Sequence, residues 1–288
     1  MKSVLAALVV GYLAARLTWL AARPLFALPA MVRRNFRGRS LPTAAGIVLP
    51  LAAVLVEGGR AVVATFGVGD GPAVGARALL LVAAMGFGLL GLIDDLAGGG
   101  GGVAAADGGV ERGFRGHLGA LVQGRVTTGA LKLFGGGVLA LLVVAPFVGE
   151  SPVRLLADGA LVALCANLGN LLDRAPGRTI KASVGAFLVL LVAAGRPADL
   201  SSTAVVVGAA LGQFLDDLHE RLMLGDAGAN VLGAVLGLGV VAACGPGGRD
   251  VALVAVAALN VAGELVSFSR VIDAVAPLRA LDQAGRRS

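Results

Sequence analysis

The chain has 288 residues, 57% of them hydrophobic and 15% charged, with a mean hydropathy of +0.88. That apolar share is above what a water-soluble globular domain carries and excludes one. The formal charge of +6 does not point to nucleic acid, and no such partner is expected: the arginines are not interleaved with aromatic residues and lie between hydrophobic runs, as membrane-orienting charges do.

A helix needs roughly 20 apolar residues to cross a hydrocarbon core. Apolar runs between charged or Pro/Gly breaks predict nine such spans, at residues 3–22, 44–64, 77–93, 130–148, 154–172, 182–195, 201–215, 229–245 and 251–268. The first, "SVLAALVVGYLAARLTWLAA", has signal-peptide features. The stronger positive cluster follows it, which favours retention as a span with the N-terminus outside. Comparing alternate connections, seventeen Lys and Arg fall on one side. Only Lys2, Arg60, Arg77, Arg154, Arg196 and Arg249 fall on the other, with Arg16 inside the first span. The predicted fold is therefore an all-α polytopic integral membrane protein of about nine transmembrane helices, N-terminus outside and C-terminus cytoplasmic. It is one membrane domain over 1–288, with a cytoplasmic loop at 94–129 and a cytoplasmic tail at 269–288. The loop holds the flexible insertion "GGGGGV". Cys165 and Cys244 lie in apolar runs without CxxC or Cys/His spacing and are expected to be small core residues. The 45 glycines fit closely approaching helices, and an alanine- and glycine-biased composition accounts for them equally well.

Four stretches place polar groups at the span borders. "NFRGRSLPTAAGI" (35–47) carries Arg37 and Arg39, which either receive a diphosphate or simply mark the inner face. "GLIDDLAG" (91–98) sets Asp94 and Asp95 side by side. Adjacent carboxylates repel unless a cation compensates them, and hard oxygen ligands suit magnesium, which typically takes one or two carboxylates plus phosphate oxygens. In "ANLGNLLDRAPGRTIKA" (166–182), Asn167, Asn170 and Asp173 recur every three residues and share roughly one helix face. Those amides suit a sugar or nucleotide, or a bond to a neighbouring helix. Arg174, Arg178 and Lys181 beside them suit phosphates or lipid headgroups. "LMLGDAGANVLGAVLGLG" (222–239) delivers Asp226 among small residues, as a ligand-approaching group or an ordinary N-cap. Asp94, Asp95, Asp173, Asp216, Asp217 and Asp226 all fall on the face assigned as cytoplasmic from basic residues alone. Singly each marks a water boundary; as a set they suggest a shared cation or polar substrate.

Taken in order, these stretches resemble the polyprenyl-phosphate N-acetylhexosamine-1-phosphate transferase superfamily, which includes the phospho-N-acetylmuramoyl-pentapeptide transferase of peptidoglycan synthesis. "RSLPTAAG" is similar to its basic, PT and small-residue segment, "GLIDD" to its aspartate pair, "NLGNLLD" to its Asn-rich segment and "LMLGDAGANVLG" to its MGDxGS-type segment. The resemblance covers roughly 35–240. It implies a cell-membrane enzyme of cell-envelope glycan synthesis, active at the cytoplasmic face, that moves a phospho-sugar from a UDP-sugar to polyprenyl phosphate with Mg2+ and releases UMP. It further implies Asp94, Asp95 and Asp226 as catalytic residues, Asp95 and Asp226 as metal ligands, and Arg39, Thr43, Lys132, Asn167, Asn170 and Asp173 as substrate-binding residues. Membrane lipids and a second copy in a homodimer are the further partners it implies.

The chain departs from the family pattern. Pro176 stands where a second aspartate of the Asn-rich segment is usual, and the only histidines are His117 and His219, so the C-terminal histidine cluster has no counterpart. A tenth span is missing, and the lysine after the aspartate pair has no direct match, its charge falling to Arg125 or Lys132 in "GRVTTGALK". Asp216 and Asp217 are read as a solvated helix end or as replacing the aspartate lost at Pro176. The alternative function is a non-catalytic relative that binds polyprenyl phosphate or scaffolds envelope enzymes. A transporter would place its carboxylates nearer mid-span.

Overall fold

The computed structural model describes residues 2–35, 37–69, 75–97, 128–195 and 200–286. The Gly-rich insertion, Arg125 and His117 lie outside the described residues, as does most of the 94–129 loop. With no water in a bilayer core to satisfy backbone amides, apolar runs of this length fold as helices. They are α1 (Lys2–Phe26), α2 (Val48–Ala64), α3 (Ala76–Ala97), α4 (Thr128–Val148), α5 (Pro152–Leu172), α6 (Arg178–Ala193), α7 (Ser201–Leu218), α8 (Asp226–Ala243) and α9 (Pro246–Leu265). Two short helices follow, α10 (Phe268–Ala274) and α11 (Ala276–Gln283).

The protein is a helical polytopic membrane protein. Among the described residues six helices are long and apolar enough to cross a membrane: α1 to α5 and α8. A seventh candidate is α9 with α10, bent by 94°. The other two predicted spans are helical but differ in kind. Helix α6 has 16 residues and begins at Arg178 rather than 182, and α7 buries Ser202, Thr203, Gln213, Asp216 and Asp217 along its length. A helix packed among other helices tolerates polarity that a lipid-facing one does not.

Helix α8 forms the axis of the bundle and is 83% buried, touching α3 and α5 most extensively. Its small residues allow backbones to approach as in other membrane helix pairs. Against α3 the approach is closest at Gly91, where a Cβ would stand 2.3 Å from the Asp226 carbonyl oxygen.

The connections show how the helices run. Asp95 at the end of α3 meets the start of α8, the Arg16 guanidinium of α1 reaches Asp216 at the end of α7 (2.5 Å), and Gly177 before α6 donates to Asp217 (2.9 Å). At the other end Arg154 and Arg249, which open α5 and α9, share the fully buried Asp158 (2.7 and 2.8 Å), while Glu57 of α2 pairs with Arg60 (2.8 Å). Successive helices therefore alternate in direction, and all the sequence-selected carboxylates gather at one end.

Two features at that end were not foreseen. Residues 32–42 form a hairpin, β1 (Val32–Arg34) with β2 (Ser40–Pro42), where the sequence predicted a basic loop. Its tip is organised by the Asn35 side-chain oxygen, which accepts the Arg37 and Arg39 amides at 2.9 Å each, as Asx turns do. The second is the tail. Asp282 of α11 accepts both Nε and Nη2 of Arg178 (2.8 and 2.9 Å), and Arg286 reaches Asp282 (2.7 Å) and the Pro176 carbonyl (2.9 Å). Lys181 closes the clasp on the Leu281, Asp282 and Ala284 carbonyls.

These contacts explain why α6 starts early, since in its first turn Arg178 is paired by Asp282 and Lys181 is held by tail carbonyls. Burial opposes ionisation of Asp282, yet the hydrogen bonds from Arg178 and Arg286 prevail and hold its carboxyl below the ordinary value. Breaking a buried pair by removing one partner costs on the order of 3–5 kcal/mol. Asp282→Ala is therefore expected to release the tail, read as faster tryptic cleavage after Arg279 and Arg286 with the helical content unchanged. An unaltered cleavage rate would contradict the clasp.

Candidate active site

The site is assembled from two loops and the ends of four helices. The loop before α2 and the loop before α8 are zipped by backbone bonds: Met223 N to the Pro42 carbonyl (2.8 Å), Ala45 N to Met223 (3.1 Å) and Gly46 N to Leu224 (2.9 Å). That seam holds Gly225, with φ of 69° and ψ of 178°, a conformation essentially reserved for glycine, at the head of α8. Asp95 then seats the helix. Its Oδ1 accepts the Asp226 amide and its Oδ2 the Ala227 amide, both at 3.0 Å, so a carboxylate from α3 caps the positive end of α8.

Asp94 turns elsewhere. Its Oδ2 lies 3.7 Å from the Lys132 ammonium, which also makes a short ion pair with Asp226 Oδ2. Thr128, the first residue of α4, hydrogen-bonds Asp94. The Asn170 amide completes the group: with both ends satisfied, its nitrogen donates to Asp226 Oδ1 (2.8 Å) and its oxygen accepts from Lys132 (2.5 Å). Asp94, Lys132, Asn170 and Asp226, from α3, α4, α5 and α8, thus meet around one ammonium.

Beside them lies a cavity of about 360 Å³, lined by Arg34, Asn35, Thr43, Asp95, Asp173, Arg174, Asp217, Glu220 and Asp226 among others. Thr43 is buried in its wall. Asp173, just past the end of α5, accepts from the Thr179 hydroxyl (3.1 Å). Burial first, then the neighbouring Asp217, with Asp226 and Asp95 beyond, push the Asp173 carboxyl well above the ordinary carboxylate range, against the hydrogen bond from Thr179. A wall so rich in carboxylates, with Arg34 and Arg174 at its side, suits a polar ligand carrying hydroxyls, phosphate or a bound cation.

Two other residues expected in the site, Arg39 and Asn167, do not line this cavity. Arg39 is exposed and faces Glu220 at 3.9 Å, beside Arg37 at 3.0 Å. Asn167 donates to Asn260 of α9 (2.7 Å), an interhelical bond outside the site. Three-residue spacing turns about 60° per step, which carries Asn167 and Asp173 to different sides of α5.

The pair at 216 and 217 divides. Asp216 pairs with Arg16 and Arg221 (2.5 and 3.1 Å), whereas Asp217 holds the Gly177 amide and lines the cavity next to Pro176. Glu220, also in the cavity wall, was not selected from sequence. It is buried with φ of 53° and takes Asn35 at 2.7 Å, and no signal in the chain marks it. Among the described residues no three His, Cys, Asp or Glu side chains form a metal-ligating group. Mg2+ does not require one, since it commonly binds one or two carboxylates and completes its shell with water and phosphate oxygens.

No family model matches the chain, and no curated protein matches it.

Proposed function

We propose that this chain is a divergent member of the polyprenyl-phosphate N-acetylhexosamine-1-phosphate transferase superfamily. It transfers a phospho-sugar from a UDP-sugar to polyprenyl phosphate at the cytoplasmic face of the cell membrane, in cell-envelope glycan synthesis such as that of peptidoglycan. The observation that carries the reading is the meeting of separate motifs at one end of the bundle. "GLIDD", "NLGNLLD" and "LMLGDAGAN" are far apart in sequence, yet Asp94, Asn170 and Asp226 surround the same ammonium while Asp95 caps the helix that Asp226 begins. In this reading all nine helices α1 to α9 cross the bilayer, with the site end inside.

Asp226 and Asp94 fit Mg2+ as carboxylate ligands, with the Asn170 amide oxygen as a third donor; Asp95, with both oxygens on backbone amides, fits a supporting position. Bound there, Mg2+ neutralises diphosphate charge during phosphoryl transfer. The chain's own part is to hold the donor. Thr43, Asp173 and Asp217 line a polar recess for the sugar nucleotide, and Asp217 stands beside Pro176, where relatives carry an aspartate. Arg34 and Arg174 border that recess with positive charge suited to phosphate oxygens.

The experiment combines detergent-purified protein, polyprenyl phosphate, Mg2+ and a panel of UDP-sugars, followed by UMP release. The expected result is UMP that requires lipid and Mg2+ together. Absence of release with every donor, alongside retained lipid binding, would favour the non-catalytic scaffold, a reading that the engagement of both Asp95 oxygens with backbone also favours.

A further inference from the structure

The Lys132 ammonium sits in an oxygen set that would serve a dication equally well. Two carboxylates and, in its satisfied orientation, an amide oxygen from three helices face it: Asp94 at 3.7 Å, Asp226 in a short ion pair and Asn170 at 2.5 Å. Carboxylate and carbonyl oxygens are the donors that Mg2+ and Mn2+ prefer. An ammonium and a dication cannot share these oxygens, because at contact distance their like charges repel strongly in a partly buried site. Whichever arrives must expel the other.

We propose that Lys132 is a resident counter-ion, displaced by the divalent cation that binds Asp94 and Asp226 and then free to face the incoming phosphates. The inference rests on the cation-dependent part of the reading above, and not on the identity of donor or lipid.

Lysine suits this exchange. Its charge is compact and its stem flexible, and the Lys132 side chain is 20% exposed, so it has room to swing out. The charge balance also fits. A bound dication with Lys132 retained at the rim adds two positive charges beside Asp94, Asp95 and Asp226, where a diphosphate is to be met.

A second observation lies on the same helix as Asp226. Asn230 lies one turn further along α8 on the same face as Asp226, is 1% exposed, and has neither its amide nitrogen nor its oxygen bonded among the described residues. Buried polar groups left unpaired are rare and call for a water or ion. Mg2+ and Mn2+ retain ordered waters, and one of these would satisfy the Asn230 amide.

The test uses the full chain in detergent with Mn2+ alone, free Mn2+ being read by electron paramagnetic resonance. Lys132→Met is expected to bind Mn2+ at least about ten-fold more tightly than the native chain, the equivalent of removing roughly 1.4 kcal/mol of competition. Adding Asp226→Asn to that variant is expected to abolish the gain. Equal or weaker binding by Lys132→Met, or a gain that survives Asp226→Asn, would overturn the exchange.

The native chain supplies an independent measurement that needs no variant. Acylation of Lys132 by an amine reagent, followed by mass spectrometry, is expected to rise when Mn2+ is added; an unchanged or lower yield would overturn the proposal. Neither readout involves a sugar nucleotide or polyprenyl phosphate. Exchange without UMP release would thus defeat only the transferase reading, and UMP release without exchange only this inference.

Discussion

Asp95→Asn is expected to lower both thermal stability and activity, whereas Asp226→Asn is expected to lower activity with little loss of stability. Both Asp95 oxygens accept amides of the first turn of α8, at 3.0 Å each. An asparagine keeps one acceptor and turns a donor toward the other amide, leaving a buried N–H unpaired at a cost of about 1–3 kcal/mol. Asp226 makes no such backbone cap; its carboxylate faces Lys132 and Asn170, and Lys132 keeps Asp94 when Asp226 is neutralised. Removing one electrostatic group from a transfer site typically lowers turnover by on the order of 10²–10³-fold. Unfolding midpoints and UMP release on the two variants check this division. Equal destabilisation by both, or full turnover in Asp226→Asn, would contradict it.

That division also marks what the sequence could and could not show. The helices were legible because each is apolar over most of its length, and each predicted span overlaps a helix, although among the described residues only six single helices are long and apolar enough to cross a membrane. Which member of an aspartate pair faces the site was not legible, since neighbouring helical residues point about 100° apart and only tertiary packing fixes the rotation. Asp94 and Asp95 separate in this way, and so do Asp216, held by Arg16 and Arg221, and Asp217, held by the Gly177 amide.

Lys132 had a sequence signal only as charge near the loop. Its neighbours come from α3, α5 and α8, which no local pattern can bring together. The hairpin at 32–42 was invisible for a different reason, with strands of three residues too short to show alternation. The early start of α6 depends on Asp282, about a hundred residues away. A polar first turn next to a proline reads as loop until its distant partner is known.

The second large effect concerns the seat of α3 on α8. A Cβ at Gly91 would lie 2.3 Å from the Asp226 carbonyl oxygen, 2.4 Å from its carbonyl carbon and 2.5 Å from the Ala227 nitrogen. All three are backbone atoms, so no rotamer change relieves the contact and the helices must part. Overpacking of this kind costs about 1–3 kcal/mol, occasionally more.

The same movement reaches the site, because Asp95 is one turn beyond Gly91 on the same face of α3 and caps these very residues. Gly91→Ala is therefore expected to lower the unfolding midpoint and weaken Mn2+ binding together, although alanine is the better helix former. Gly137→Ala supplies the control, since a Cβ there meets nothing within 4 Å and the change should leave stability equal or raised by roughly 0.5–1 kcal/mol. If Gly91→Ala behaved like Gly137→Ala, the contact of α3 with the head of α8 would not be what holds Asp95 and Asp226 in register.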